Sequence, residues 1–402
     1  MILPPPLPRL RRSLARIAAA LALICFTSAC TWASQGQPWV IAGPRSAALL
    51  PAWSEDSALG LRTALAAQCA HPERVGRQWP ELCRELRALP ALATDTTSDT
   101  DLRRWISNRF DAWAITTDRG GARGLLTGYF EPVFAGSLRR ELPGQTPLYA
   151  PPDKLGKRLP FATREQLSRL HLEPAQTAAD SAGLRSEMAD RVIAWLDDPV
   201  DAFFLSIQGS GRIRLRDGTL LRIGYAGHNG HEYVAIGRPL IERGEIARSS
   251  MSAQAIRQWL ADNPDQAEAT MNLNPRYIFF RKLPAPKQAL GNTIAGPIGS
   301  LGVALTAGRS VATDPKYLPA GNLFYLTSKT RHGQPQMARL TVSQDTGSAI
   351  RGAVRADLFT GTGASAGDQA GRLRHPMQLW LLWPKGRQPP GRLPVLQADL
   401  DD

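Results

Sequence analysis

From residue 286 to residue 390 the chain never sustains a helical period. Short apolar runs recur instead, each closed by Gly, Pro or Asp. Strands are expected at 302–305, 322–326, 337–342 and 378–383. Open strand edges must be paired or covered, and short strands at even spacing satisfy one another by closing into a small barrel. No other stretch of the sequence restricts the fold as strongly.

Upstream the pattern is mixed. Residues 31–52 are sprinkled with Pro, Gly and Ser and read as a tether plus an entry strand. Helical periodicity then runs to about residue 115. One stripe carries Leu61, Leu65 and Cys69, a second Leu82, Cys83, Leu86 and Leu89, and a third Leu102, Trp105, Ile106 and Trp113. Pro72 and Gly76 break the first two, so those helices are expected to fold back on each other. A helix is expected from about 180 to 197, with Leu184, Met188, Val192, Trp195 and Leu196 on one face, ending before Pro199. Phe203–Leu215 and Leu220–Tyr225 alternate like strands about the hairpin turn Arg216–Thr219. Ile256, Trp259 and Leu260 mark another helix, and Tyr277–Phe280 a strand. No internal repeat, P-loop or heptad run is present, and the tail after Pro384 reads as a frayed end.

At 402 residues, two domains are the default. The net charge of +13 suits a polyanionic partner, for which nucleic acid, acidic lipid and peptidoglycan all qualify. The basic residues are scattered and no nucleic-acid motif accompanies them. Four of the charges, Arg9, Arg11, Arg12 and Arg16, precede a short apolar run at Ile17–Phe26 and then Thr27–Cys30. That order is a targeting segment, too short in its apolar part to span a bilayer comfortably. Small residues before Cys30 resemble a bacterial lipobox, which would make Cys30 a lipidated N-terminus, although Thr27 stands where Leu is usual. Ordinary cleavage at Ala29 or Ala33 is the alternative. Beyond Cys25 and Cys30 only Cys69 and Cys83 remain, either a disulfide in an oxidising compartment or two buried thiols packed like small hydrophobes.

The run Ser343–Gly367 holds Asp345 and Asp357 among Gly, Ser and Thr. Asp357 stands just before the Gly361–Gly363 turn, so its side chain could face an open cleft. Read alone, the plainer account is that both aspartates are turn residues bonding their own backbone. Gly124–Pro132, Phe203–Arg212 and Gly224–Gly230 are the other segments of note. The group His228–Glu232 matches neither zinc-protease spacing, and Gly230 argues against the helix such a site needs, so it reads as a solvated loop.

Together these four segments resemble the membrane-bound lytic murein transglycosylase A (MltA) family, whose members cut the glycan strands of bacterial peptidoglycan. The resemblance covers roughly residues 45–385 and is strongest at 124–132, 203–237 and 341–371. It implies a mainly β fold with some α: a double-psi β-barrel domain with the N-terminal helices packed on it, plus an inserted second β-rich domain. The divisions expected are a signal peptide at 1–29, a tether at 30–52, a helical part at 53–123, the insert at 124–285, the barrel at 286–390 and a tail at 391–402.

The implied chemistry uses one carboxyl group, Asp357, supported by Asp345. Thr127, Tyr129, Gln208, Gly209, Ser210 and Tyr225 are the expected substrate-binding residues, offering the aromatic faces, amides and hydroxyls that sugars need. Glu131, ahead of Pro132, is expected to be supporting or structural, and Asp314 to shape a barrel turn. The resemblance implies glycan strands as substrate, a lipid anchor at Cys30 in the outer membrane, a monomer, no nucleic acid, no cofactor and no metal. Two rivals stand beside it. One is a non-catalytic wall-binding lipoprotein; the other is an aspartic-protease-like hydrolase suggested by Asp345, Thr346 and Gly347, which would need a second such triplet from a partner.

Overall fold

The computed structural model describes residues 39–58, 60–75, 79–88, 99–117, 124–171, 182–284, 296–330, 333–389 and 395–397. Cys30 and the expected targeting segment lie outside the described residues. The chain opens with β1 (Trp39–Ser46), then α1 (Leu61–Cys69), α2 (Trp79–Ala88), α3 (Asp99–Arg109), β2 (Phe110–Thr117) and β3 (Gly124–Glu131). A middle section follows: β4 (Val133–Ser137), β5 (Thr146–Tyr149), α4 (Arg164–Ser168), α5 (Ala182–Ala189), β6 (Val192–Leu196) and α6 (Pro199–Gln208). It continues through β7 (Gly211–Arg214), β8 (Leu220–His228), α7 (Gly237–Glu242), α8 (Ala253–Asp262), α9 (Pro264–Asn272) and β9 (Ile278–Lys282). The last section is β10 (Ser310–Thr313), β11 (Leu323–Lys329), β12 (Pro335–Asp345), β13 (Arg355–Thr362), α10 (Ala364–Arg372), β14 (Arg374–Pro384) and β15 (Val395–Gln397).

Two sheets organise these elements. The larger has the order β11-β12-β10-β13-β3-β14-β2-β1-β15, and an added β11–β14 pairing closes its first six strands into a ring. The smaller, β5-β6-β4-β7-β8-β9, is built wholly from the middle section. β14 makes the closure. Its residues 377–382 pair with β11, while its other edge pairs with β3 at 374–377 and with β2 at 380–384.

At β11 and β14 the ring buries both of its faces. On β11, Leu323 and Tyr325 join the core under α1, α2 and α3, whereas Phe324 and Leu326 join the core inside the ring. On β14, Trp380 and Leu382 face the helices, and Leu379 and Leu381 face inward. A strand covered on both sides reads as an unbroken apolar run, which is what 323–326 and 379–383 are. The helical layer is also tied to the ring by a buried ion pair. Arg309 donates from Nη1 and Nη2 to Asp56 at 2.8 Å each, and Asp56 also accepts from the Leu340 and Ala58 N–H groups. Burial pushes the Asp56 carboxyl up, but the Arg309 guanidinium and the two backbone donors outweigh it and hold it below its ordinary value. α1 and α2 are joined by the Cys69–Cys83 disulfide, with 5.4 Å between Cα atoms.

Several expectations from the sequence are corrected. The helix expected over 180–197 is α5 followed by a strand, because Val192, Trp195 and Leu196 pair into the small sheet as β6. Trp113 belongs to β2, since α3 ends at Arg109. Of the alternating stretch from Phe203, residues 203–208 belong to α6, while Gly211–Arg214 forms β7 and pairs antiparallel with β8 as the expected hairpin. Asp198 caps α6 by accepting from Val200 N–H at 2.7 Å, Pro199 occupies its first turn, and Gly209 at φ 76° ends it. These caps outweigh the alternation. Residues 302–305 form a turn, with one isolated bridge between Ile298 and Ala304. Residues 286–390 do contain a helix, α10, whose small residues permit close packing: a Cβ at Gly128 in β3 would lie 2.8 Å from Ala370 Cα. β3, which begins at residue 124, is a strand of the ring, and the small sheet begins at β4. Part of the expected frayed tail pairs as β15, parallel to β1.

The disulfide spans 14 residues, and closing a loop of that length contributes on the order of 3 kcal/mol in the chain-entropy model. A Cys69→Ala/Cys83→Ala protein should lose about that much in urea unfolding. A loss under about 0.5 kcal/mol would mean that the packing of α1 and α2 needs no link.

Candidate active site

Register brings the two aspartates to one row of the ring. Ala312 on β10 pairs with Asp345 of β12 on one side and with Asp357 of β13 on the other, and Asp357 pairs in turn with Thr127 of β3. Two strand spacings separate the aspartates, so their backbones stand roughly 10 Å apart. Beyond Asp357 the chain turns at Gly361 and Gly363. Gly363 holds φ 88°, open to glycine, and donates its N–H to Glu131 O at 2.8 Å before α10 begins.

Each aspartate has its own partners. Asp345 accepts from the Tyr129 hydroxyl at 2.8 Å and from the Ser300 N–H at 2.9 Å. Burial still pushes its carboxyl up, against those hydrogen bonds. Asp357 Oδ1 accepts from the Thr127 hydroxyl. Burial is again the main cause raising the Asp357 carboxyl; Thr127 and the Arg355 charge pull it down, and the Asp345 charge pushes it up. The Tyr129 phenol is driven well above its usual value by burial and by the neighbouring Asp345. Its ring lies 5.5 Å from that of Phe359, its register partner. The pair thus consists of two partly accessible carboxyls with raised proton affinity, separately held rather than bonded to each other. Such an arrangement suits a proton donor at Asp357 with a fixed charge or dipole nearby.

The other expected residues distribute unevenly. Gln208, at the end of α6, accepts from Phe130 N–H at 3.4 Å and so touches β3. Gly209 and Ser210 lead from α6 into β7 next to it. Tyr225 is 49% exposed on β8 opposite Phe280, and among the described residues no contact joins it to the aspartates. In the His228–Glu232 segment, Gly230 N–H donates to His228 Nδ1 and His231 Nε2 meets Phe161 O at 2.8 Å. Asp314 is buried and ties its turn together, accepting from Lys316 N–H and from Gly352 N–H ahead of β13. Ser300 and Arg212 were not anticipated. Ser300 acts through its backbone, which leaves no trace in a sequence, whereas Arg212, set beside Gly211 and Ile213 at the start of β7, was visible.

The sequence matches the MltA specific insert domain over residues 125–281 and the 3D domain over 309–383. It is 32% identical over 290 residues to membrane-bound lytic murein transglycosylase A of Escherichia coli strain K12, covering 70% of this chain and 72% of the relative. The chain belongs to the membrane-bound lytic murein transglycosylase A family. Among solved structures, MltA from Neisseria gonorrhoeae superposes with TM-score 0.70 at 27% identity, over 88% of this chain and 95% of that one. Escherichia coli MltA with bound chitohexaose superposes with TM-score 0.62 at 26% identity, over 87% and 95%. The MltA insert match starts inside β3 and ends inside β9.

Where the chain passes from the ring into the small sheet, a buried ion pair sits. Glu131, the last residue of β3, accepts from Arg212 of β7 at 2.8 Å from Nε and 2.7 Å from Nη2, and from the Thr362 hydroxyl of β13 at 2.8 Å. Both charged side chains are buried, so neither can lose its partner cheaply. Arg212→Met leaves Glu131 buried without its cation and should cost about 3–5 kcal/mol in urea unfolding. The double variant Glu131→Gln/Arg212→Met should recover most of that loss. Equal losses in the two proteins would show that the charge itself is not the issue.

Proposed function

We propose that the chain is a peptidoglycan lytic transglycosylase, a carbon–oxygen lyase that cleaves the β-1,4 bond between N-acetylmuramic acid and N-acetylglucosamine and leaves a 1,6-anhydromuramoyl end. The observation that carries this reading is the Asp357 carboxyl, raised in proton affinity by burial and held on β13 beside Thr127. Asp357 protonates the glycosidic oxygen as the bond to C1 breaks. The C6 hydroxyl of the same muramic acid forms the new bond to C1, and its proton returns to Asp357. No water is consumed and the carboxyl ends as it began. That accounts for one acid where hydrolases of glycosides use two.

Asp345 is assigned the supporting charge, since its two oxygens are already engaged by Tyr129 and Ser300. Gln208, Gly209, Ser210 and Tyr225 are assigned to the glycan. Gln208 reaches β3, and Tyr225 presents an exposed ring on the small sheet. The chitohexaose bound by the Escherichia coli relative supports a site for such a polymer. The double-psi reading of the ring is supported by its six strands and by the parallel pairs β10–β12 and β13–β3. Association with a membrane fits the names of the relatives, and no helix among the described residues is long and apolar enough to cross one. We assign attachment to a lipid on Cys30, at the periplasmic face of the outer membrane.

Asp357→Asn should fold, bind sacculi and release no anhydro-muropeptides by mass spectrometry, a loss of at least ~10²–10⁴-fold. Reducing ends in the wild-type digest would instead indicate a hydrolase, peptide cuts a protease, and no products a binder. The acid works only while protonated, so kcat/KM should fall as pH rises through the raised Asp357 pKa. Asp345→Asn removes a negative neighbour, lowers that pKa, and should move this limb to lower pH. A limb that stays in place removes Asp345 from the site. For the anchor, Cys30→Ser should leave the protein soluble or unprocessed, and recovery of unmodified wild-type chain from the soluble fraction would exclude lipidation.

A further inference from the structure

Arg355 lies two residues before Asp357 on β13, and alternate residues of a strand share a face. The expected contact between them is a direct ion pair, yet Arg355 bonds elsewhere. Its Nη1 donates to Ala356 O at 2.6 Å and to Leu125 O at 3.4 Å, which fixes the plane of the guanidinium. Its Nη2 donates to Thr127 Oγ1 at 2.8 Å. Thr127 in turn bonds Asp357 Oδ1.

The direction of this chain follows from the chemistry of its members. A guanidinium has donors and no acceptor, so Thr127 Oγ1 must accept from Arg355. A hydroxyl owns a single hydrogen and two lone pairs; Arg355 fills one lone pair, and toward the ionised carboxylate, which has no hydrogen to give, that single hydrogen points at Asp357 Oδ1. Oδ1 is thereby an acceptor, and the acid proton resides on Oδ2, for which no protein partner appears among the described residues. We propose that Arg355 is a positioning residue that locks the Thr127 hydroxyl into donating to Asp357, so that Oδ2 alone carries and delivers the proton. This rests on Asp357 being the acid. It also reassigns Thr127, whose hydroxyl is committed to the carboxyl and is not free to donate to a sugar.

The relay also resolves a conflict in the acid's requirements. A cation in direct contact typically lowers a carboxyl pKa by about 1–3, which would leave Asp357 ionised and useless as a donor near neutral pH. No cation at all would leave the carboxylate formed during bond cleavage stranded in a desolvated site. A neutral hydroxyl between the two passes on part of the positive field, enough to steady the anion while the acid stays protonated. The other charged groups around Asp357 are few. Asp345 acts on it from β12, the Tyr129 phenol on β3 feels both carboxylates, and Arg374 of β14 is the register partner of Thr127. Asp368 and Arg372 belong to α10, which packs on β3 and β13.

The test is the pH profile of anhydro-muropeptide release from sacculi by the full chain. Arg355→Met should raise the Asp357 pKa, moving the falling limb of kcat/KM up by roughly one pH unit. It should also lower kcat on the acid plateau by roughly tenfold, with KM little changed. Thr127→Val should do the same, Thr127→Ser should leave the limb in place, and adding Arg355→Met to Thr127→Val should move it little further. A purely structural role would lower the melting temperature without moving the limb. An unmoved limb in Arg355→Met, or shifts that simply add in the double variant, would overturn the relay. If Arg355→Met does not fold, the contrast between Thr127→Val and Thr127→Ser decides the matter: an unmoved limb in the valine protein sinks the proposal. An Asp357→Asn enzyme that still turns over would defeat the assignment of the acid, and inactivity there with an unmoved Arg355→Met limb would defeat the relay alone.

Discussion

Closure of the six-strand ring by β14 is the constraint from which the other features follow. One strand pairs with β11 on one edge and with both β3 and β2 on the other, so its register is set from three directions. A slip of one residue would exchange Trp380 and Leu382, under the helices, with Leu379 and Leu381, inside the ring. Both faces are buried, so neither exchange is tolerated. The register that this pins is the one that sets Asp345, Ala312, Asp357 and Thr127 in a single row. The position of the proposed acid is in this sense a by-product of packing.

Polar groups complete what the apolar packing begins, and they concentrate at the end of β12. The Asp56–Arg309 pair bonds Leu340 through both its N–H and its carbonyl. Four residues on, Gln344 is buried, accepting from the Ser310 hydroxyl at 2.6 Å and donating to Ala64 O of α1 at 2.8 Å. Gln68 of the same helix donates to Gly321 O, whose own N–H bonds Ser343. The N-terminal helices therefore grip β12 on the residues next to Asp345. Breaking a buried pair of this kind costs about 3–5 kcal/mol, a large part of the 5–15 kcal/mol that a domain has in total. Because the Asp56 carboxyl is held below its ordinary value, that stabilisation is fully present above the unfolded carboxyl pKa and is lost as pH falls through the lower folded one. The proposed catalytic acid, Asp357, and the acid that holds the fold, Asp56, are thus shifted in opposite directions, by burial in one case and by a cation in the other.

Half of the ring, β11, β12 and β14, was legible, two of these strands as continuous apolar runs at 323–326 and 379–383, whereas β10 and β13 were not read as strands. Asp345 and Asp357 were legible for a different reason: glycine, serine and threonine around two acids match a family pattern, while the bare residues favoured a turn. What escaped depends on contacts far away in the chain. α6 looked like a strand because Phe203 to Leu215 alternates, although Asp198, Pro199 and Gly209 were written in the sequence as caps. α10 was missed because it is short and 286–390 sustains no helical period; its small residues let β3 come close, a contact far away in the chain. Thr127 and Tyr129 were assigned to sugar on their chemistry. Their hydroxyls prove to be spent on the two aspartates, a pairing across 230 and 216 residues that no local pattern encodes.

That separation has a consequence for how the protein comes into being. β3 leaves the ring after Glu131, the chain builds an entire second sheet, and only then do β10 to β14 arrive to flank it. Contacts between residues so distant are slow to form, because a long loop must close before any pairing rewards it. The N-terminal half, synthesised first, has Thr127 but neither aspartate, and the last of the ring strands to be made, β14, is the one that shuts the ring. A nascent or truncated chain therefore holds no assembled form of the proposed proton donor. For a protein whose proposed substrate is the wall of its own cell, late assembly is a safeguard written into topology: chemistry begins only when folding is finished.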